Sequence, residues 1–301
     1  MDQITEIAPH LRGYGWAPGD YFSRCHVCDQ QFIGDKRAIS CHPCAVARHE
    51  DLTTLFTLTP AQQEALLKIA AYLDLDGVFA DFDEGIRRLG FKPDPEYNKS
   101  SHEMDDAARL WKEGMYQVIQ GTNFYETLPL MERAADLYRL FAPTDPIFVT
   151  ASPKFGSTED TYLTHPYFLG AAYAKRRWVE ECLLPAAALP PGAPAGGQSL
   201  RIRIADRNFV CTTSSRKQEF MHRKHSPYQV LVDDREANCR VWAESGGIAI
   251  LHTSAMSTYR LLVSLLDQII AGAELQPSIL RTDFPRSRQP KVDVAQLVAG
   301  L

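Results

Sequence analysis

The fold of this chain is decided by residues 70–82, which read Ala70-Ala71-Tyr72-Leu73-Asp74-Leu75-Asp76-Gly77-Val78-Phe79-Ala80-Asp81-Phe82. The apolar first half predicts a buried strand with two carboxyl groups at its C-terminal tip. Successive strand side chains point to opposite faces, so Asp74 and Asp76 point the same way, and Gly77 allows a sharp turn after them. Two like charges this close repel each other unless a cation or a shared proton intervenes. The pair therefore suits a Mg²⁺ site in which one carboxylate attacks and the other handles a proton, with a strand and an acidic turn as an equally good interpretation.

Length and composition are those of an ordinary globular protein. The 301 residues are 45% hydrophobic and 23% charged, enough for one main domain with additions. A net charge of −5 argues against general binding to phosphate backbones, so nucleic acid is not a required partner. The sequence has no apolar run long enough for a membrane span and no secretory signal at Met1. We expect a cytosolic protein with reduced thiols.

Four of the seven cysteines are spaced as C-x2-C-x12-C-x2-C, at Cys25, Cys28, Cys41 and Cys44. Two such pairs complete a tetrahedral shell, so we predict a structural Zn²⁺ with no open position; disulfides are the alternative. The isolated cysteines are expected to pack as small hydrophobic residues: Cys182, Cys211 and Cys239.

Further apolar runs alternate with helical patterns. Four of them predict strands, at residues 146–150, 200–204, 228–234 and 247–251. Helices are predicted at 83–89, 100–120, 130–140, 178–184 and 257–271, and a capped connecting helix starts at Thr59-Pro60-Ala61-Gln62. This order predicts an α/β fold with a Rossmann-like parallel sheet, whose ligand lies beyond the carboxyl ends of the strands.

Polar residues follow three of these strands. Besides the first aspartate pair they are Thr150-Ala151-Ser152-Pro153 and Asp233-Asp234-Arg235, and Lys175 lies between them along the chain. A phosphoryl-transfer site needs a nucleophile, a proton donor, hydroxyl groups, a cation and a metal. The sequence supplies a candidate for each.

Together these motifs resemble the haloacid-dehalogenase superfamily of phosphohydrolases, and among its branches the 5'(3')-deoxyribonucleotidases. The resemblance rests on Asp74-Leu75-Asp76-Gly77-Val78, on Phe124 and Tyr125 before Leu128-Pro129, on Lys175 before Trp178-Val179, and on the strand ending in Asp233-Asp234. The cysteine module separately resembles small zinc ribbons of bacteriophage proteins; if the chain is phage-encoded, its compartment is the host cytoplasm.

The pattern along the chain and the resemblance together predict an arrangement of domains. It consists of an arm and zinc ribbon at 1–50, a connecting helix at 51–70, a core at 71–82 and 130–275, a helical cap inserted after the first strand at 83–129, and a loose tail at 276–301.

The resemblance also implies roles. Asp74 would attack phosphorus, and Asp76 would protonate the leaving oxygen and then activate water. Thr150 would hold a phosphoryl oxygen, and Lys175 would neutralise the phosphoryl group and Asp74. Asp233 and Asp234 would hold Mg²⁺ together with Asp74 and the backbone carbonyl of Asp76, and Arg235 would reach the substrate phosphate.

Some assignments stay open. Ser152 competes with Thr150 for the phosphate, and Arg176 and Arg177 compete with Lys175. In the cap, stacking on a nucleobase and packing in the core are both considered for Trp111, Phe124 and Tyr125. A basic strip is interpreted as a solvated face, with a substrate clamp as the alternative: Arg216, Lys217, His222, Arg223, Lys224 and His225.

The function expected from the sequence is a Mg²⁺-dependent nucleotidase acting on nucleoside monophosphates, most consistent with 5'-deoxyribonucleotides. A phosphatase of nucleic-acid ends that uses the zinc ribbon, and a binding protein with a retired active site, are the alternatives. The oligomeric state is not predicted.

Overall fold

The computed structural model describes residues 11–93, 104–120, 122–152, 166–190, 201–221 and 226–282, with backbone only for 166–169. The predicted arm, Pro153, the start of the helix at 100, the strip residues 222–225 and most of the tail lie outside these ranges. The chain divides into two compact units, one containing residues up to Leu55 and the other spanning Phe56–Arg281. Within these described ranges, no helix combines the length and the apolar character that a membrane crossing requires.

The first unit is a small module around the cysteines. Two antiparallel strands, β1 (Tyr21–Arg24) and β2 (Gln31–Gly34), form a hairpin, and helix α1 (His42–Thr53) follows it. A small core of Leu11, Trp16 and Ala45 packs between them. So small a core buries little apolar surface, which favours a metal as the main source of stability.

The second unit is built on a parallel sheet of six strands in the described residues. Their order is β5-β4-β3-β6-β7-β8, and every neighbouring pair is parallel. The strands are β3 (Ile69–Leu73), β4 (Ile147–Ala151), β5 (Phe209–Thr212), β6 (Tyr228–Asp233), β7 (Ile248–Leu251) and β8 (Ser278–Leu280). The predicted α/β class is confirmed, and β3 sits in the middle with all five residues buried.

Helices connect the strands and cover the sheet. The α-helices are α2 (Pro60–Leu66), α3 (Phe82–Arg88), α4 (Asp106–Ile119), α5 (Ala134–Phe141), α6 (Pro166–Trp178), α7 (Leu184–Ala188), α8 (Glu236–Glu244) and α9 (Ala255–Ile270). Short 3-10 helices cover Phe124–Glu126 and Ser214–Phe220, and a π-helical turn covers Val179–Leu183. The predicted capping box at α2 is present, with Thr59 and Gln62 satisfying each other's backbone amides.

The insertion between β3 and β4 enters and leaves the core through a paired stem. Asp81 donates its backbone N–H to the Pro129 carbonyl at 2.8 Å, and Met131 donates to the Phe79 carbonyl at 2.7 Å. Helices α3 and α4 lie between these two crossings. The stem therefore attaches the helical insertion directly beside the tip of β3.

Two predictions about strands were wrong. Residues 201–204 form no strand, because Ile202 and Ile204 donate their N–H groups to Glu180, one to its carbonyl at 2.9 Å and one to its carboxylate at 3.2 Å. The strand beside β4 is instead β5. In the segment assigned to a loose tail, β8 pairs with β7 and closes that edge of the sheet.

Replacing Glu180 by alanine is expected to lower the free energy of unfolding by about 2–3 kcal/mol, because a buried carboxylate that organises two elements is lost. Glu180 is 2% exposed and accepts from Arg176 and Arg201, but Arg201 is 41% exposed and solvent screens that pair. Although burial opposes ionisation, the contacts with Arg201, the Ile204 amide and Arg176 lower the pKa of Glu180. The stabilisation is therefore present at neutral pH and fades as the pH falls through that lowered pKa.

Urea unfolding of the Glu180→Ala variant measures this effect. Glu181→Ala is the matched control, since Glu181 pairs with Arg177 at the surface, and it should change stability by less than about 0.5 kcal/mol. Equal effects of the two substitutions would contradict the structural role of Glu180.

Candidate active site and cysteine cluster

The polar residues predicted at the strand ends do meet at the carboxyl edge of the sheet. Lys175 bridges Asp76 and Thr150, and Lys217 bridges Asp74 and Asp233. Because β3, β4 and β6 are neighbours and parallel, their carboxyl ends share one edge. The two aspartates at the tip of β3 therefore pair with different lysines, Asp74 with Lys217 and Asp76 with Lys175.

The turn after β3 places both aspartates. Asp74 continues the ladder by donating its N–H to the Val232 carbonyl at 3.0 Å. Gly77 has a φ of +78°, and a Cβ there would lie 2.4 Å from Asp234 Oδ2. Only glycine therefore allows β3 and β6 to bring their acidic ends this close.

Asp74 faces a buried lysine. Lys217 Nζ lies 2.9 Å from Asp74 Oδ1 and 2.7 Å from Asp233 Oδ2, and its side chain is 2% exposed. Burial disfavours the ammonium, but Asp233 and Asp74 outweigh it and raise the pKa of Lys217 above its ordinary value. Lys217 is therefore charged at every physiological pH.

The interpretation of Lys217 as part of a solvated face was wrong. The 3-10 helix Ser214–Phe220 follows β5 directly and turns this side chain inward. Recognition of Phe209–Thr212 as a strand would have indicated the position, because residues that follow a parallel strand lie at the functional edge. The same strip's Arg216 does lie at the surface, paired with Glu219.

Lys175 contacts Asp76 rather than Asp74, which differs from the expected role. Its Nζ lies 2.6 Å from Asp76 Oδ2, 3.2 Å from Thr150 Oγ1 and 2.5 Å from the Ala151 carbonyl. Burial raises the pKa of Asp76, and Lys175 opposes that rise. An aspartate balanced in this way, with a side chain 28% exposed, suits proton transfer to and from a ligand.

Asp233 and Asp234 have different surroundings. Asp233 is fully buried, and it accepts hydrogen bonds from Lys217, from Asn238 Nδ2 and from the Arg235 N–H. Burial, together with Asp233 and Asp74, raises the pKa of Asp234 well above its ordinary value. Asp233 is therefore held in place by three donors, whereas at Asp234 the charges of Lys217 and Arg235 do not offset burial and the two neighbouring carboxylates.

The carboxylates of Asp74, Asp233 and Asp234 form a candidate cation site. One oxygen of each lies within 4.8 Å of the other two. Asp74 Oδ1 accepts no hydrogen bond from a described residue, although Lys217 lies near it. Lys217 pairs with two of these three carboxylates, so the cluster keeps an excess of negative charge, which a divalent cation with oxygen preference would balance.

Two hydroxyl groups lie at the carboxyl end of β4, Thr150 within the strand and Ser152 directly after it, and they differ in what they contact. Thr150 is fully buried and accepts from Lys175. Ser152 is 5% exposed, and its Oγ has no hydrogen-bond partner in the described part of the chain. Ser152 is therefore the hydroxyl that a bound anion would satisfy, and Thr150 helps to hold the lysine.

The aromatic candidates pack inside the protein. Phe124 and Tyr125 are about 95% buried, Phe124 against Phe82 and Gly85. Trp111 is half-buried and meets Phe91 edge to face at 5.8 Å. These contacts match the core-packing alternative. Arg235 is half-buried next to Asp234 and donates to Ser214 Oγ at 3.1 Å.

The four cysteines of the first unit converge as the spacing predicts. One Sγ from each lies within 4.8 Å of the others, and the Cys28 and Cys41 sulfurs are 3.7 Å apart. Zn–S bonds of about 2.3 Å place tetrahedral sulfurs about 3.8 Å apart, so the cluster has the size of a zinc site. Burial opposes ionisation of Cys25, but backbone N–H groups lower its pKa to about 7.

Comparisons with known proteins leave the family open. No protein-family model matches the chain, and no curated protein matches it. Among solved structures, the chain is similar to a protein from Burkholderia xenovorans LB400 whose assignment as a haloacid dehalogenase-like hydrolase is itself provisional. That likeness covers 75% of this chain and 99% of the other, with 10% identity and a TM-score of 0.34. A TM-score this low does not establish a family, so function is inferred from the side chains of the site.

Proposed function

We propose that this protein is a Mg²⁺-dependent phosphomonoesterase that works through an aspartyl-phosphate intermediate. The observation that carries the proposal is the separation of the two strand-tip aspartates. Asp74 is 5% exposed and paired with Lys217, whereas Asp76 is paired with Lys175 and is partly accessible. A nucleophile must stay ionised and a proton carrier must change state, so the two environments suit two roles.

The proposed reaction has two displacement steps. A carboxylate oxygen of Asp74 bonds to phosphorus while the ester P–O bond breaks, and Asp76 gives its proton to the leaving oxygen. Asp76 then takes a proton from water, the water oxygen bonds to phosphorus, and the Asp74–phosphorus bond breaks. Phosphate leaves, and both aspartates return to their starting states.

The residues at the acidic cluster fit a magnesium ion. Asp74 and Asp234 supply oxygens with few competing donors, and Asp233 is held by Lys217 and Asn238 beside them. When bound, Mg²⁺ would polarise the phosphoryl group and balance the carboxylate charge. Ser152, whose Oγ has no hydrogen-bond partner among the described residues, is the proposed contact for a phosphoryl oxygen, and Lys175 is proposed to hold Asp76 beside it.

The proposed substrate is a nucleoside monophosphate, most consistent with a 5'-deoxyribonucleotide. This choice rests on the sequence resemblance and on Arg235, a cation at the edge of the acidic cluster. Since Phe124 and Tyr125 are buried and the half-buried Trp111 packs on Phe91, recognition of a base by stacking has little support among the described residues.

Phosphate release from purified protein tests the proposal. A panel of ribo- and deoxyribonucleoside monophosphates, sugar phosphates and 5'-phosphorylated oligonucleotides is incubated with Mg²⁺ or with a chelator. We expect phosphate release from mononucleotides that needs Mg²⁺. No release from any monoester in the presence of Mg²⁺ would refute the proposed function.

We also propose that the cysteine cluster holds one structural Zn²⁺. Since the module's core is small, Cys41→Ser is expected to abolish stoichiometric zinc and to unfold the module. Elemental analysis and limited proteolysis within residues 11–55 measure this. Cys182→Ser, at a half-buried thiol of the second unit, is the control and should retain the metal. Full zinc content in Cys41→Ser would contradict the assignment.

A further inference from the structure

We propose that Tyr125 is a positioning residue that acts through Lys175 on Asp76 and thereby sets how efficiently the leaving group is protonated. The inference rests on the proposed phosphatase reaction. It concerns what holds the Asp76 carboxyl group in place while its proton is transferred. Asp76 must present one carboxyl oxygen to the leaving group. Its other oxygen contacts Lys175, and the position of that lysine must therefore be fixed.

Three hydrogen bonds leave the ammonium group of Lys175 little freedom to move. The three protons of Nζ are matched by three acceptors, Asp76 Oδ2, Thr150 Oγ1 and the Ala151 carbonyl. Asp76 Oδ1, in contrast, has no hydrogen-bond partner among the described residues. The lysine thus holds Oδ2 and leaves Oδ1 to carry the proton.

The ring of Tyr125 lies against this ammonium group. Its centroid is 4.8 Å from Lys175 Nζ, within the range of a cation–π contact, and Tyr125 is 4% exposed. The ring attracts the cation and excludes water that would otherwise compete for Nζ. Without it, Nζ gains room to move away from Asp76 Oδ2, which is the atom that orients the carboxyl group.

The backbone that carries Tyr125 is tied to the helix that carries Lys175. Trp178 Nε1 donates to the Leu128 carbonyl at 2.7 Å, and Arg177 pairs with Glu126 at 3.2 Å. Both contacts link α6 to the 3-10 helix Phe124–Glu126 and its exit. These contacts join the segment that carries the ring to the helix that carries the lysine.

The test separates proton donation from binding. Protonation matters most when the leaving group is a poor one, so phenyl phosphate and p-nitrophenyl phosphate are compared through kcat/KM, which reports the steps up to departure of the leaving group. The two esters have nearly the same shape and carry no nucleobase. A role in folding or in base binding would not distinguish them.

Tyr125→Leu is expected to lower kcat/KM for phenyl phosphate by roughly tenfold to a hundredfold and for p-nitrophenyl phosphate by less than about threefold. Tyr125→Phe keeps the ring over the ammonium group, so it should keep the wild-type ratio of the two kcat/KM values. Phe91→Leu is the control: it removes a ring of the same insertion that packs edge to face on Trp111, so any loss should be equal for the two esters.

Equal losses on both esters for Tyr125→Leu would overturn the inference, because that result describes a structural residue. A loss confined to nucleotides, with both aryl esters unchanged, would overturn it in favour of base contact. If the wild-type protein hydrolyses neither ester nor any mononucleotide with Mg²⁺, the proposed function itself fails, which is a distinct outcome.

Discussion

Replacement of Asp74 by asparagine is expected to abolish phosphate release, with a fall in kcat of at least about 10³-fold, while the protein stays folded. Asparagine has the shape of aspartate, so the strand tip and its bond to the Val232 carbonyl persist. The amide cannot form the covalent intermediate. Because one of several crowded carboxylates is removed, the thermal midpoint should be equal to that of the wild type or higher.

Single-turnover phosphate release and thermal melting measure the two parts of this prediction. Asp234→Asn is the matched comparison, since it removes a carboxylate from the same cluster and leaves the nucleophile in place. That variant should retain turnover at a raised Mg²⁺ concentration. Wild-type turnover by Asp74→Asn would refute the assignment of the nucleophile.

Replacement of Lys217 by methionine is expected to lower both activity and stability. Methionine has a side chain of similar length to lysine, but Asp74 and Asp233 lose the cation that both of them contact. Removing one partner of a buried ionic group costs on the order of 3–5 kcal/mol, and loss of charge stabilisation at the reacting centre costs about 10²-fold in kcat.

The stability loss in Lys217→Met should depend on pH. Burial already raises the pKa values of Asp233 and Asp234, so the folded state binds more protons than the unfolded chain. Stability then falls as the pH rises, and loss of the lysine enlarges this slope. Denaturant unfolding at pH 5 and at pH 8 should show a larger deficit at pH 8.

Arg216→Met provides the control for this prediction. Arg216 directly precedes Lys217 and pairs with Glu219, and both of these side chains are about half exposed. Its loss should cost less than about 1 kcal/mol and leave turnover unchanged. If the two variants behaved alike, the buried position of Lys217 would be irrelevant to the site.

The elements that were predicted correctly are those with a strong local pattern. β3, β4, β6 and β7 are mostly apolar runs, and α2 carries a complete capping box. β5 was missed because Phe209–Thr212 is short and mixed, and residues 200–204 were mistaken for a strand because arginine and isoleucine alternate there. In that segment, contacts with Glu180 take the backbone donors that a strand would have used.

Local sequence was enough to predict that Asp74 and Asp76 lie at one strand tip, that Gly77 turns the chain there, and that the four cysteines can meet. Each of these conclusions depends on residues that are near one another along the chain, where strand period and motif spacing govern geometry. The packed structure was needed to find that Lys217 pairs with Asp74, that Lys175 pairs with Asp76, and that the Tyr125 ring lies over Lys175. These pairings join distant segments, and which side chains meet across them depends on how the strands and helices pack.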